Sequence, residues 1–456
     1  MRKIFQYILM AVAVVVTASC SNELDETLLP AGNGSLQFVV SDFPMFGEGT
    51  QTRVIGTQDE GKTAWENGDQ ILVTLTSQKY GEQAVALTYN GSSWSTEASL
   101  SYLENETPSV SVFYAPCYEV TEEGVMQLRS GMQLGMTEYL SGNYEIENGI
   151  MTITFEGAIR DYSRLRIATM PEATLTVTTT DFTPAGATEV ATAAYTLTTD
   201  NNGNAFLYGV FAEDATVSVK QGDVILKDYT FTVDKNPGVS AHNKSYALDA
   251  TPVIDGTLGG KATAEESDIT ALVEQLKAYV DNGITTIIVP GSEPALIEMD
   301  SWTNTAIGEA IYRLSGSDDY DENNPYNGKI DLILQDVTEI VDQEFYSAWA
   351  LNSITLPKVI KIGDEAFHRT WFLKTITFES VLTEVNETGG VMFAQVGKEV
   401  DGCNLFINCG QMKENSVPTP DLTTNTWKFK FENEFKSITL THTGENSECD
   451  ECKTLQ

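Results

Sequence analysis

The sequence predicts a mainly β protein, with two β-sandwich domains followed by a short repeat solenoid that a helix caps. Three observations support this fold class. Runs of β-branched and aromatic residues, separated by Gly, Asn, Asp or Pro, succeed one another from residue 35 to residue 249. A helical spacing of apolar residues follows these runs. Beyond it, a pattern of apolar positions returns at a fixed interval.

The first 19 residues have the features of a secretory signal peptide. Arg2 and Lys3 precede an apolar core over Ile4–Val16. That core is shorter than the roughly 20 apolar residues that a membrane-spanning helix needs. We therefore expect residues 1–19 to be removed rather than kept as a membrane anchor.

The end of this segment resembles a bacterial lipoprotein box. Ala18 and Ser19 stand directly before Cys20, although Thr17 replaces the Leu or Val that is usual in that family. The resemblance implies that Cys20 is lipidated and that residues 20–34 form an acidic tether. Such a tether looks like the signal that sends lipoproteins to the outer face of the outer membrane. An ordinary secretory signal with an incidental cysteine is the alternative.

Net charge and cysteine count limit the partners of the chain. The formal net charge is −38, and no basic patch is visible, so nucleic acid and anionic lipid surfaces are excluded as partners. Once Cys20 is lipidated, an odd number of cysteines remains, which is a poor disulfide framework and leaves the pairing open. They are Cys117, Cys403, Cys409, Cys449 and Cys452.

The strand-rich block divides into two predicted sandwiches, over residues 35–157 and 158–250. Short strands at regular spacing, with turn residues between them, are typical of such domains. The boundary is placed near Gly157, because the segment Ile159–Arg166 lies between two strand-rich stretches.

Motifs in this block resemble the fimbrillin-like family of transthyretin-like sandwiches. Thr52-Arg53 precedes the W-x-x-G-D-x-I-x-V segment Trp65–Val73, and Asn243–Leu248 resembles the end of the family's second domain. The resemblance implies a fimbrial or surface role. It also implies that protease processing after Arg53 frees a groove in which subunits polymerise.

The same segment predicts a hairpin from its residues alone. Gly68 supplies a positive φ for a turn over residues 67–69. Trp65 and Ile71 are expected in the core on either side of that turn.

A predicted linker over residues 251–262 leads into a repeat domain over residues 263–456. Pro252 and several glycines mark the linker. Apolar residues then recur at helical spacing from Ala264 to Asn282. We expect this helix to cap the apolar end of the stack that follows.

The repeat is the most specific signal in the chain. Ile354 lies 22 residues after Leu332, and the apolar positions that follow each of them coincide. Such a period falls within the range of leucine-rich repeats. The run Ile354–Phe367 closely resembles the BspA-like leucine-rich repeats of bacterial surface proteins, and a third copy from Ile376 drifts by one place. Further strands of the same stack are expected at Thr285–Val289, Leu405–Ile407 and Ser437–Leu440.

Alternation along the repeat strands predicts a buried face and a solvent-facing candidate ligand face. The candidate ligand face consists of Ile333, Gln335, Thr355, Thr377 and Glu379. The expected core positions are Leu332, Leu334, Ile354, Leu356, Ile376 and Phe378, completed by Val359, Ile362 and Phe367.

No arrangement typical of catalysis occurs, and we expect no enzyme activity, cofactor or metal. The histidines are scattered, outside any H-E-x-x-H pattern, and there is no G-x-S-x-G turn. His368 is expected to be an exposed variant of the repeat. Paired carboxylates for glycoside hydrolysis are neither indicated nor excluded.

Three short segments allow a second interpretation. Gly256–Ala262 is like a phosphate loop but too short, and Ala262 stands where such loops have Ser or Thr. Asp318–Asn324 could hold calcium, although a solvated loop is the simpler interpretation. Cys449 and Cys452 could join a zinc site, but an exported protein favours a disulfide or free thiols.

These features predict a lipid-anchored surface protein that binds rather than catalyses. The leading hypothesis is adhesion, or binding of a protein or glycan ligand, through the leucine-rich repeats. A fimbrial tip or accessory subunit, assembled by strand donation, is the alternative. A glycan-binding or processing component of a nutrient-uptake system is the weaker alternative.

Overall fold

A computed structural model of the chain describes most of residues 36–441. The residues outside the description are 1–35, 45–61, 63, 104–105, 156–159, 232–244, 299–302, 318, 386–390, 414–417, 425, 428–433 and 442–456. Several predicted features therefore lie outside the described residues: the predicted signal peptide, Cys20, the predicted acidic tether, Arg53, Cys449 and Cys452. Within the described ranges, no helix is long and apolar enough to cross a membrane.

The mainly β prediction is confirmed. Strands arranged in several sheets, with two α-helices, make up the described secondary structure apart from one short 3-10 helix, Cys409–Lys413. The chain divides into two compact units. The first is built on the described residues before Met45, on Lys62–Met132 and on Glu138–Ile159, and the second is built on Gln133–Thr137 and Arg160–Gln456. The limits of the individual domains remain predictions.

The first unit contains one seven-stranded sheet and a separate hairpin. Its strands are β1 (Gln37–Val40), β2 (Gln70–Ser77), β3 (Gly81–Tyr89), β4 (Trp94–Ser95), β5 (Ser109–Tyr114), β6 (Tyr118–Val120), β7 (Met126–Leu128), β8 (Leu140–Glu147) and β9 (Ile150–Thr154). The sheet order is β1-β9-β8-β5-β2-β3-β4, and β6 pairs with β7. β1 is an edge strand, and its pairing with β9 is parallel.

The predicted turn of the first unit is confirmed, but among the described residues no strand leads into it, so the turn precedes β2 instead of joining the two strands of a hairpin. Gly68 has a φ of 94° at the turn, and Ile71 is fully buried. The half-buried Trp65 ring lies 4.8 Å from Phe43 and 5.2 Å from Tyr114, centroid to centroid. These edge-to-face contacts join the segment after β1 to the core of the sheet.

The second unit begins with another antiparallel-rich sheet. Its strands are β10 (Ser163–Ala168), β11 (Thr174–Pro184), β12 (Ala191–Thr198), β13 (Asn204–Phe211), β14 (Thr216–Gln221), β15 (Val224–Thr230) and β16 (Ser245–Asp249). The order is β15-β14-β11-β13-β10-β16, with β12 paired to β11. Phe182, Phe211 and Phe231 stack through its core at centroid distances of 4.6 and 4.5 Å.

The predicted capping helix is present as α1 (Glu266–Asp281). Glu265 and Asp268 form a capping box at its start, which satisfies backbone N–H groups that have no partner within the helix. Ile269, Leu272 and Leu276 lie on its buried face. The predicted bounds, Ala264 to Asn282, exceed the observed ones by one or two residues, which is the usual fraying uncertainty at helix ends.

The remaining strands build a parallel stack and two short antiparallel pairs. They are β17 (Thr286–Val289), β18 (Leu296–Glu298), β19 (Thr303–Thr305), β20 (Ile330–Leu334), β21 (Glu339–Ile340), β22 (Leu351–Leu356), β23 (Lys361–Ile362), β24 (Thr375–Phe378), β25 (Glu384–Val385), β26 (Cys403–Asn408), β27 (Pro420–Asp421), β28 (Thr426–Trp427) and β29 (Phe435–Thr441). A second helix, α2 (Ala306–Leu314), follows β19. The six-stranded parallel sheet β17-β20-β22-β24-β26-β29, here called the repeat sheet, faces a three-stranded return sheet, β21-β23-β25.

The residues predicted as a linker lie against the first strand of the repeat sheet. Val253 forms a parallel bridge with Ile288, and the Ile254 amide donates to the Ile288 carbonyl at 2.9 Å. Ile254 is fully buried. The segment therefore contributes to the edge of the repeat sheet, and independent folding of the two flanking regions remains a prediction.

Candidate ligand-binding face

Outward residues of the repeat sheet form two continuous rows, because each parallel pairing keeps the same register. The middle row is Ile288, Ile333, Thr355, Thr377, Phe406 and Thr439. The polar row beside it is Thr286, Asp331, Ser353, Thr375, Asn404 and Ser437. All of these residues are half-buried or exposed, whereas the residues between them along each strand point to the core.

Three of the five predicted face residues lie next to one another in the structure. Ile333, Thr355 and Thr377 are consecutive members of the middle row. Gln335 is exposed and Glu379 is half-buried, and both lie just past the carboxyl ends of β20 and β24. These two therefore flank the middle row rather than belong to it.

The predicted core of the repeats is confirmed by burial. Leu332, Leu334, Ile354, Leu356, Ile376, Phe378, Val359, Ile362 and Phe367 are each at most 2% exposed. Phe367 lies between Phe345 and Phe393, with ring centroids 5.6 Å apart on both sides. Between its strand and the next buried position the third copy has one residue more than the second, so Leu382 is buried where the 22-residue period places Val381.

Hydrogen bonds within the polar row fix some of its side chains. The Asp331 carboxylate accepts from Asn352 Nδ2 at 2.7 Å and from Ser353 Oγ at 2.6 Å. Ser437 Oγ donates to Asn404 Oδ1 at 2.7 Å. Across the described part of the chain, Thr355 and Thr377 have no side-chain hydrogen bond, so these hydroxyls remain available to a ligand.

Threonine is well suited to a preformed contact surface. Its β-branched side chain has few χ1 rotamers, so little conformational freedom is lost when a ligand binds. Thr355 and Thr377 each present a methyl group and a hydroxyl at neighbouring places of the middle row. The row can therefore make apolar and hydrogen-bonding contacts together.

Sequence reasoning missed the whole polar row, and it missed the members of the middle row that lie on either side of the regular repeats. Ile288 belongs to β17, while Phe406 and Thr439 belong to β26 and β29. These strands were predicted, but the insertions between them break the 22-residue period, so their register could not be read. The alternation within each strand was the available signal.

In the segment Gly256–Ala262, which is similar to a phosphate loop, backbone amides already donate to the carboxylate of the preceding residue, Asp255. Asp255 Oδ2 accepts from the Gly259 amide at 2.7 Å, and Asp255 Oδ1 accepts from the Thr257 amide at 2.9 Å. The hydrogen bond from the Thr257 hydroxyl is the main cause that lowers the Asp255 pKa. The amides that would cradle a phosphate are thus occupied, which argues against a nucleotide site here.

Turn hydrogen bonds hold the acidic insertion, the described part of which is Asp319–Asn324. Asp321 Oδ1 accepts from the Asn323 amide at 2.9 Å, and Asn324 Nδ2 donates to the Leu314 carbonyl at 3.0 Å. Tyr320 from this insertion packs edge-on against Trp349 and Trp371, at 5.0 and 4.8 Å. Among the described residues, no cluster of three or more His, Cys, Asp or Glu could hold a metal ion.

His368 departs from its prediction as an exposed side chain. It is half-buried, and its ring meets Tyr346 edge-on at 5.3 Å. The pKa of His368 is lowered, mainly because burial disfavours the charged form of the ring. The position after Ala366-Phe367 lies in the turn between two stacked units, and that packing accounts for the difference.

A buried carboxyl interrupts the core of the first repeat. Glu344 takes the place that Ala366 has in the next unit, and it is 3% exposed. Its Oε1 accepts from the Thr305 hydroxyl, which itself accepts from the Gly308 amide at the start of α2. Among the described residues, its Oε2 has no hydrogen-bond partner. Burial raises the pKa of Glu344 to about 7.

Comparisons with known proteins give distant likenesses only. No protein-family model and no curated protein matches the chain. A solved structure of a candidate cell adhesion protein from Bacteroides fragilis is 12% identical in sequence. The alignment covers 47% of this chain and 92% of that protein's chain, with a TM-score of 0.24. The shaft pilin SpaA from Lactobacillus rhamnosus is 11% identical, covers 40% of this chain and 93% of its own, and has a TM-score of 0.16. Likenesses this weak carry no inference about this chain.

Proposed function

We propose that this chain is a non-catalytic surface lipoprotein, anchored at Cys20, that binds its ligand through the middle row of the repeat sheet. The observation that carries the proposal is the continuity of that row across six parallel strands. At a strand spacing of about 4.8 Å, six strands give a contact line of roughly 24 Å. Repeat proteins use such extended faces because each unit adds side chains in register.

The chemistry of the repeats supports this proposal. The inward side chains bury one continuous core, so the outward side chains are free to vary without loss of the fold. The BspA-like pattern of Ile354–Phe367 is typical of bacterial surface proteins, which supports an adhesive role. Binding to a protein or a glycan is compatible with this face.

The test is a binding array of glycans and host proteins. The probe is the whole chain after the lipidated cysteine, residues 21–456. We expect at least one ligand to be bound by the parent and lost by the Thr355→Arg, Thr377→Arg double variant. Equal binding by both proteins would contradict the proposal.

A second candidate function, assembly with fimbrial subunits, rests on the position of β1. This edge strand precedes Arg53 and pairs in parallel with β9 over Gln37–Val40. Next to it, the Trp65 indole donates to the Ser41 carbonyl at 2.8 Å, and Phe43 is buried. Cleavage after Arg53 would separate β1 from the covalent chain and leave the β9 edge for a donated strand.

The amino terminus of the mature protein distinguishes the two functions. A terminus at lipidated Cys20 favours the anchored binding protein. A terminus at Val54, found in protein isolated from cells, favours the fimbrial subunit.

A further inference from the structure

The two outward rows of the repeat sheet differ in charge from the chain as a whole. The chain carries 65 acidic residues and a net charge of −38. The twelve positions of the two rows include one charged residue, Asp331. That carboxylate already accepts hydrogen bonds from Asn352 and Ser353 within the face. The two rows are therefore almost uncharged on a strongly acidic protein, and Glu379 adds one carboxylate at their flank.

This charge distribution disfavours charged ligands. The field of a protein at net −38 repels anionic polymers at long range. A basic protein would be attracted by that field, but among the described residues of the two rows it would find only the Asp331 carboxylate, with Glu379 at the flank of the middle row. An uncharged ligand is neither repelled at a distance nor left with unpaired charges at contact.

The functional groups of the rows match the surface of a sugar chain. A sugar ring has two apolar faces made of C–H groups and a rim of hydroxyls. Phe406 and Ile333 provide apolar surface in the middle row, and Thr355 and Thr377 between them add methyl groups and hydroxyls. The polar row alongside supplies hydroxyl and amide groups that donate and accept hydrogen bonds.

The length and shape of the face also suit a polymer. Neighbouring strands repeat the same kind of group at about 4.8 Å, over a line of roughly 24 Å. A single sugar would contact only one or two members of the row. A linear chain of several sugar rings would contact most of them.

We propose that the repeat face binds a neutral, linear polysaccharide. This inference rests on the proposed function and adds the chemical class of the ligand. The polysaccharide lies across the strands, with sugar rings against Phe406 and the threonine methyl groups and with hydroxyls bonded to Thr355, Thr377 and the polar row.

The test is affinity electrophoresis of residues 21–456 in native gels. The probes are neutral linear polysaccharides (pullulan, barley β-glucan and glucomannan) and two anionic ones (polygalacturonate and heparin). We expect at least one neutral polysaccharide to retard the parent and neither anionic one to do so. Phe406→Ala and the Thr355→Arg, Thr377→Arg double variant should each weaken that retardation by about tenfold or more, as loss of a central contact does.

Two control variants separate loss of the face from general damage. The Thr338→Arg, Thr383→Arg double variant makes the same change, threonine to arginine, at two exposed positions of the returning turns, away from the face. Tyr144→Ala removes an exposed aromatic ring from the first unit. Both controls should be retarded like the parent.

The outcomes distinguish the ligand class from the binding face. If no neutral polysaccharide retards the parent, or if only the anionic polymers do, the ligand class proposed here is wrong. A protein ligand whose binding is lost in the face variants would then leave the proposed function standing. Equal retardation of the parent and the face variants by a neutral polysaccharide would instead overturn the binding face itself.

Discussion

Thr355 on β22 lies directly opposite Thr377 on β24, at equivalent places in consecutive 22-residue units. Ile354 and Ile376, one residue earlier, pair in the same way and are fully buried. One register therefore produces both the core of the repeats and their outward row. Mutations on the two sides of the same strands should have separable effects.

Truncation of the core should unfold the repeats. Phe367→Ala removes the middle ring of the Phe345, Phe367 and Phe393 stack and leaves a cavity. We expect a loss of about 3 to 5 kcal/mol in the free energy of unfolding. Denaturant melts of residues 21–456 measure it, with Thr355→Arg as the surface control, which should stay within about 0.5 kcal/mol of the parent. A Phe367→Ala melt that overlays the parent melt would show that the stack does not stabilise the fold.

Glu344 should make the repeats less stable as the pH rises through neutrality. Its pKa is raised from 4.5 to about 7 because burial disfavours the charged form. The folded state therefore holds the proton more tightly than the unfolded state. The stabilisation is fully present below pH 4.5 and is lost as the pH rises towards 7.

Glu344→Gln tests this linkage while it keeps the shape of the side chain. The variant should have a flatter stability profile between pH 4.5 and 7, and it should be more stable than the parent at pH 8 by up to about 3 kcal/mol. Thermal melts across that range measure both effects. Glu379→Gln, a half-buried carboxyl outside the core, is the matched control. Parallel profiles for the parent and Glu344→Gln would refute the role of this carboxyl.

The proposed lipid anchor at Cys20 makes a prediction in cells. Cys20→Ala removes the thioether site, so the protein should leave the membrane fraction, because acyl chains supply the membrane affinity. Fractionation with a labelled fatty acid measures this, and Cys117→Ala is the control that should remain anchored. A Cys20→Ala protein that still sediments with outer membranes would contradict the lipoprotein hypothesis.

The predicted linker makes a prediction about modularity. A fragment over residues 35–250 should fold alone as a β protein, because its own cores contain most of its buried side chains. β15 would lose some packing, since Val224 and Leu226 also touch the core of the repeats. Far-ultraviolet circular dichroism should show strands and a cooperative melt. Substantial helix, or a melt without cooperativity, would place the boundary elsewhere.

The sequence predicted the regular part of the repeats well because burial there follows a strict period. Leu332, Ile354 and Ile376 occupy one buried row, as the 22-residue period requires. Insertions end that period after β24. The strands that contribute Phe406 and Thr439 could therefore be predicted, but not their register.

Helix α2 was not predicted, for a different physical reason. At nine residues α2 is shorter than the helices that periodicity identifies reliably, and Gly308 and Glu309, whose residue types usually mark a turn and an exposed position, are buried in it. Glu309 is tolerated there because it pairs with Arg313 at 2.7 Å. The burial of Glu344 was not predicted either. Alignment of the repeat units does contain a signal for it, because the charged Glu344 stands where the next unit has Ala366.

The most direct test of the central claim is the dissociation constant of the array ligand, measured by surface plasmon resonance at one salt concentration. Three proteins are compared: the parent, the Thr355→Arg, Thr377→Arg variant, and the Thr338→Arg, Thr383→Arg control. We predict that the face variant binds at least about tenfold more weakly, a change of roughly 1.4 kcal/mol, while the control binds like the parent. If the face variant and the parent bind equally well, the repeat face is not the binding surface, and the insertion around Asp319–Asn324 becomes the better candidate.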